Sequence, residues 1–222
     1  MITVLTFLWG SRYTAAHVNA LQRQVKRHYA RPHRFAVVTN QPQGLQCDVV
    51  VPDFEDFAGM KSPRGAAFPS CYRRLRLFHP DAAKWYGERF VCLDIDWTIH
   101  ADVTPLWDRP EPFVALRDPY HGGRGQYCGA MLLLTAGAKP EVWEKFNPNG
   151  SPQAATLAGF KGSDQAWISH MAPGAPTWST ADGVYSYKVD CRYGLPSDAR
   201  MVNFHGAIKP DACGKAWAKE AA

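Results

Sequence analysis

The sequence predicts an open, mainly parallel α/β sheet flanked by helices, and three observations carry that expectation. Short apolar runs alternate with amphipathic helical stretches along the chain. One run, Arg89-Phe90-Val91-Cys92-Leu93, stops abruptly at Asp94-Ile95-Asp96, and ligands of open α/β sheets sit beyond the carboxyl ends of strands. No repeat or linker-like stretch divides the 222 residues, so 1–222 reads as one domain with a C-terminal tail at 211–222.

Taken in order, Ile2–Leu8 is a first strand, ended by Gly10. Val18, Leu21, Val25 and Tyr29 recur at spacings of three or four with Arg23, Lys26 and Arg27 between them. That is an amphipathic helix with one buried stripe, and Pro32 stops it. Arg34–Thr39 is a second strand, and Cys47–Val51, closed by Pro52, a third. Asp53–Ser70, rich in Gly, Pro and Ser, reads as a long surface loop and a candidate lid. Cys71–His79 is a short helix with Leu75 and Phe78 inward, ended by Pro80. Beyond the acidic triplet, Pro112–Leu116 and Ala130–Thr135 are strands joined by the Gly-rich Asp118–Tyr127. Helical patterns return at Pro140–Phe146 and Ser163–Met171, and Met201–Phe204 is a last strand.

Bulk composition narrows the function. An apolar content of 46% and a charged content of 20% are ordinary for a globular chain and argue against disorder. The formal charge of +5 is mild and contains no dense Lys/Arg run, so no nucleic-acid partner is expected. Cys47, Cys71, Cys92, Cys128, Cys191 and Cys213 are far apart with no Cys-x-x-Cys pair, which excludes the usual structural zinc pattern. The start of the chain lacks the basic head and long apolar core of a secretory signal, and no apolar stretch is long enough to span a bilayer. Cytoplasmic residence with free thiols is the expectation.

Asp94-Ile95-Asp96 is the most informative feature. In an extended segment alternate side chains share a face, so both carboxylates point the same way. Like charges a few ångströms apart are unfavourable unless a cation sits between them. A hard divalent ion, which prefers oxygen ligands, is the simplest candidate. Two solvated loop carboxylates with no ligand remain the alternative.

Further segments turn the triplet into a pattern. Val91–Asp96 followed by Thr104-Pro105-Leu106-Trp107-Asp108 resembles the core of glycosyltransferase family 8, which includes bacterial lipopolysaccharide galactosyltransferases and glycogenin. Tyr72-Arg73-Arg74-Leu75-Arg76-Leu77 is similar to the family's Tyr-x-Arg-Leu helix, and Gly162-Ser163-Asp164-Gln165 to its Asp-Gln segment. Phe204-His205-Gly206-Ala207-Ile208-Lys209-Pro210 is similar to its closing Gly-x-x-Lys-Pro motif. The pieces occur in the family's order.

The resemblance implies a GT-A fold, a UDP-hexose donor, Mn²⁺ (or Mg²⁺) and an acceptor hydroxyl on a glycan, lipid-linked or protein molecule. It gives Asp94 and Asp96 to the metal, Arg74 to the donor, Tyr13 to the base and Leu8 to nearby backbone contacts. The backbone of Ile95 meets the ribose. Gly206 and Lys209 go to the diphosphate, where an added cation stabilises developing negative charge. Asp164 and Gln165 serve the reacting sugar, with retention at the anomeric carbon. Asp164 also reads as a helix N-cap.

Two departures stand out. Where the family has a metal-binding His three residues before the closing Gly, this chain has Asn203. His205 lies two positions on, hence on the same face of an extended strand, and becomes the expected third ligand. Tyr127-Cys128-Gly129-Ala130 lacks the family's Asn before the small pair, which bears on sugar contacts. Two other functions stay open: a haloacid-dehalogenase-like phosphatase using Asp94 as nucleophile and Asp96 as acid–base, and a nucleotide-sugar-binding module without turnover.

Overall fold

A computed structural model describes residues 1–66 and 70–221. Positions 67–69 of the expected 53–70 loop, and position 222 of the tail, lie outside the described residues. The chain runs β1 (Ile2–Phe7), α1 (Ala15–His28), β2 (His33–Val38), β3 (Val49–Val51), a 3₁₀ segment at Tyr72–Phe78, α2 (Ala82–Tyr86), β4 (Arg89–Leu93) and β5 (Trp97–Ile99). It continues through α3 (Thr104–Trp107), β6 (Phe113–Arg117), β7 (Tyr127–Thr135), α4 (Glu141–Glu144), α5 (Ser151–Leu157) and α6 (Asp164–Met171). β8 (Thr177–Trp178), β9 (Val184–Ser186), β10 (Met201–Asn203) and α7 (Ala216–Ala221) complete it. The principal sheet has seven strands and is mostly parallel, as the sequence predicts.

Two compact units form. The first comprises Met1–Pro52, Val91–Pro110 and Trp178–Ala222; the second comprises Asp53–Phe90 and Glu111–Thr177.

In the first unit the strand order is β3-β2-β1-β4, with β1 parallel to β2 and β2 parallel to β3. Every residue of β1 is buried, including Thr3 and Thr6, which explains why it shows no alternation of apolar and charged residues. α1 buries Val18, Leu21 and Val25, the stripe its periodicity predicts. A small second sheet runs β5-β10-β9, with β10 antiparallel to β5 and parallel to β9. Val202 of its central strand belongs to a buried cluster with Tyr187 and Phe204, whose rings stack 4.5 Å apart.

In the second unit β6 and β7 are antiparallel, with an irregularity between Ala115 and Leu116. Hydrophobic runs alone carry no strand direction, so this pairing was not legible. β7 starts at Tyr127, earlier than expected, because its first residues belong to the Gly-rich connection by composition. The expected Cys71–His79 helix is a 3₁₀ segment at Tyr72–Phe78. The loop that precedes it is tied down from its first residues. Arg73 pairs with Asp53 and Arg76 with Asp56. The Arg76 guanidinium also lies 3.6 Å from the Phe54 ring centroid and 4.0 Å from that of Trp85.

Candidate functional site

The acidic triplet is a bend, not a continuation of β4. β4 ends at Leu93, the chain turns at Ile95, and β5 starts at Trp97 in the other sheet of the first unit. One side-chain and one backbone hydrogen bond fix the two ends of the turn. The buried Thr6 hydroxyl donates to Leu93 O at 2.8 Å, and Phe204 N donates to Asp96 O at 2.9 Å. The triplet is therefore held by β1 on one side and by the end of β10 on the other. Asp96 and Ile95 are buried, and Asp94 is half-buried.

Asp96 is the centre of a polar knot. Tyr13 OH donates to its Oδ2 at 3.1 Å, and Lys209 Nζ pairs with the same oxygen. Lys209 Nζ also donates to Phe204 O at 2.9 Å. Burial first, and the Asp96 charge second, push the Tyr13 phenol far above its ordinary value, so it stays protonated as a donor. The Asp96 Oδ1 is buried with no hydrogen-bond partner among the described residues. A buried carboxylate oxygen left bare costs free energy unless a ligand completes it.

The closing motif lies alongside. Gly206 adopts φ +95°, a conformation that favours glycine. Arg12 Nη2 donates to Gly206 O at 2.8 Å and so ties the segment after β1 to the turn that carries Lys209. Leu8, buried at the end of β1, donates its N–H to Val38 O at 2.9 Å. His205 Nε2 lies 2.6 Å from Ser186 Oγ. Asn203 is buried, and neither of its side-chain amide atoms has a hydrogen-bond partner among the described residues.

The first unit thus brings Tyr13, Asp96 and Lys209 together and holds Gly206 through Arg12. Among the described residues no group of three or more His, Cys, Asp or Glu side chains converges. The donors that Asp94 and Asp96 offer are nonetheless all oxygen, and the bare Oδ1 of Asp96 suits a hard cation such as Mn²⁺ or Mg²⁺. The residues fit such an ion as two protein ligands, with oxygens of a bound diphosphate and water able to fill the rest.

A second group forms within the second unit. Arg74 Nε lies 3.3 Å from Asp164 Oδ2, and both side chains are almost sealed from solvent. Arg74 Nη1 donates to Gly129 O. Ser163, not Asp164, is the N-cap residue of α6. The Ser163 hydroxyl accepts from Cys71 N at 3.0 Å and donates to Asp164 Oδ1 at 3.1 Å, which joins the 3₁₀ segment to the helix start. Gln165 Nε2 donates to Lys161 O at 3.2 Å, and a Cβ on Gly162 would meet Gln165 Cγ at 2.8 Å. Burial and then the Asp164 charge raise the Tyr72 phenol well above its ordinary value.

Sequence reasoning missed Arg12, Gly129 and Ser186. An exposed arginine in a loop carries no signal apart from its neighbour Tyr13. Gly129 becomes meaningful only once Arg74 and Asp164 are seen to occupy the space a side chain would need.

No family model and no curated protein matches the chain. Solved structures do. The galactosyltransferase LgtC, in complex with donor and acceptor sugar analogues, aligns with a TM-score of 0.63 at 16% identity, over 99% of this chain and 93% of its own. An active-site mutant of LgtC aligns with the same values. The bifunctional glycosyltransferase WbbM aligns with a TM-score of 0.59 at 13% identity, over 99% of this chain and 51% of its own. The chain therefore has the GT-A fold of these glycosyltransferases.

Proposed function

We propose that the chain is a metal-dependent glycosyltransferase that moves a hexose from a nucleotide-diphosphate sugar, a UDP-hexose, to an acceptor hydroxyl with retention. The observation that carries this reading is the knot at the end of β4, where a carboxylate with one bare oxygen meets a phenol and an ammonium. The likeness to LgtC, solved with donor and acceptor sugar analogues, supports the same chemistry.

Asp94 and Asp96 would hold Mn²⁺ or Mg²⁺, with His205 as third ligand, and the bound ion supplies Lewis-acid neutralisation of the diphosphate leaving group. The chain's own residues supply the rest. Tyr13, held protonated and fixed by Asp96, offers its ring to the base. Lys209 brings a cation to the phosphates, and the turn at Gly206 places its backbone for close approach. Leu8 and the backbone of Ile95 line the nucleoside. The roles of Arg74, Asp164 and Gln165 toward the sugar rest on the resemblance. The acceptor is a glycan, lipid-linked or protein hydroxyl. No helix among the described residues is long and apolar enough to cross a membrane.

One observation favours a variant of the metal site. Asn203 stands where the family's histidine ligand would be, and its buried amide has no hydrogen-bond partner among the described residues. In that variant the Asn203 carbonyl oxygen would replace His205 as third donor, and His205 would stay with Ser186. The phosphatase alternative places its nucleophile after the first strand of its domain, whereas Asp94 follows β4, and β1 to β3 of the same unit precede it.

A thermal-shift screen of UDP-, GDP- and dTDP-sugars, with and without Mn²⁺, tests the proposal. A rise in melting temperature with UDP-hexose that requires Mn²⁺ is expected. No shift with any of them would remove it.

A further inference from the structure

We propose that Lys209 is a built-in competitor for the divalent-cation site, so that the metal and the nucleotide diphosphate load as a linked pair. This rests on the reading of Asp94 and Asp96 as the metal grip.

Three observations in the first unit lead there. Lys209 Nζ sits on Asp96 Oδ2 and donates also to Phe204 O at 2.9 Å, so its ammonium is seated by two acceptors. The pair is largely withdrawn from water, with side chains 15% and 9% exposed. Tyr13 donates to the same Oδ2 at 3.1 Å, while Oδ1 has no hydrogen-bond partner among the described residues. Asp96 thus has one oxygen neutralised by an internal cation and one oxygen bare.

An incoming dication meets a carboxylate whose charge is already compensated. To share Asp96, it must stand beside an ammonium in a partly dry site, where like charges repel strongly. To displace Lys209, it must leave that ammonium without its buried partner, which is costly unless a new anion takes it. A nucleotide diphosphate is such an anion. Arg12, whose guanidinium lies 5.8 Å from the Tyr13 ring centroid with Lys209 Nζ at 5.7 Å, adds positive charge that favours the same ligand. Lys209 therefore keeps Mn²⁺ weakly bound until the diphosphate draws the ammonium off Asp96. By linkage, the diphosphate gains from the metal by the same factor.

The test is Mn²⁺ binding, with the free ion counted by electron paramagnetic resonance, for wild type, Lys209→Met and Lys209→Gln, each with and without UDP. Without UDP, both variants are expected to bind Mn²⁺ about tenfold more tightly than wild type, the size of a typical coupling between sites. Two substitutions of different polarity keep the test usable if one fails to fold. If both folded variants bind Mn²⁺ alone no more tightly than wild type, the competition is overturned. In that case Mn²⁺ binding by wild type with UDP, lost in Asp96→Asn, leaves the metal reading intact. If no chain binds Mn²⁺ even with UDP, both ideas fall together.

Discussion

Arg74 and Asp164 form a sealed ion pair, Nε to Oδ2 at 3.3 Å, with side chains 4% and 3% exposed. Gly129 makes room for it: a Cβ there would meet Arg74 Nη1 at 2.6 Å and Asp164 Oδ2 at 2.9 Å. Removing one partner of a buried pair leaves an uncompensated charge and costs on the order of 3–5 kcal/mol. Asp164→Leu is therefore expected to lower stability to urea by that order, and the double variant Arg74→Met/Asp164→Leu by clearly less. Gly129→Ala is expected to destabilise as well, because it forces the pair apart. Equal losses for the single and double variants would show that the pair is not the cause.

The third metal donor is separable by substitution. His205→Ala is expected to weaken Mn²⁺ binding in the presence of UDP by roughly tenfold to a hundredfold, the range seen when groups supporting a metal site are lost. Ser186→Ala, which removes the group 2.6 Å from His205 Nε2, is expected to leave binding unchanged or tighter. If Asn203→Ala has the large effect and His205→Ala none, the donor is the buried amide instead.

His100 gives the first unit a pH-dependent weakness. Burial, and then the neighbouring His28, lower its imidazole from 6.5 to about 4. The unfolded chain takes up this proton near pH 6.5 and the folded chain only near 4. Stability from neutral His100 is therefore complete above pH 6.5 and is lost as pH falls toward 4, by on the order of 2 kcal/mol. Urea denaturation between pH 7.5 and 4.5 is expected to show this slope in wild type and a shallower one in His100→Gln. Parallel slopes would count against it.

Stereochemistry tests the sugar chemistry independently of the metal. Proton NMR of the product formed from an α-linked UDP-hexose is expected to show an α-linkage, as retention requires. A β-linked product would contradict the retaining proposal.

Much of this was legible in the sequence because β1, β2 and β4 are mostly buried and so read as short, largely apolar runs. The acidic triplet was visible because it ends such a run. Its bend was not, because the turn at Ile95 depends on Phe204 and Thr6, which lie far away in sequence. β8 and β9, of two and three residues, are too short to carry periodicity. The choice of Ser163 over Asp164 as N-cap is likewise settled by tertiary packing, since both residue types suit that position. Lys209 was visible through its motif, but its seat on Asp96 was not, because the two are 113 residues apart.

The most direct test of the metal-grip account is Mn²⁺-dependent release of UDP from a UDP-hexose by wild type, Asp94→Asn and Asp96→Asn, with each variant confirmed as folded by its melting curve. Expected is release by wild type that requires Mn²⁺ and falls by at least about a hundredfold in both variants, in line with several kcal/mol of Lewis-acid stabilisation. Release that is unchanged in Asp96→Asn, or that proceeds equally well without Mn²⁺, would contradict it.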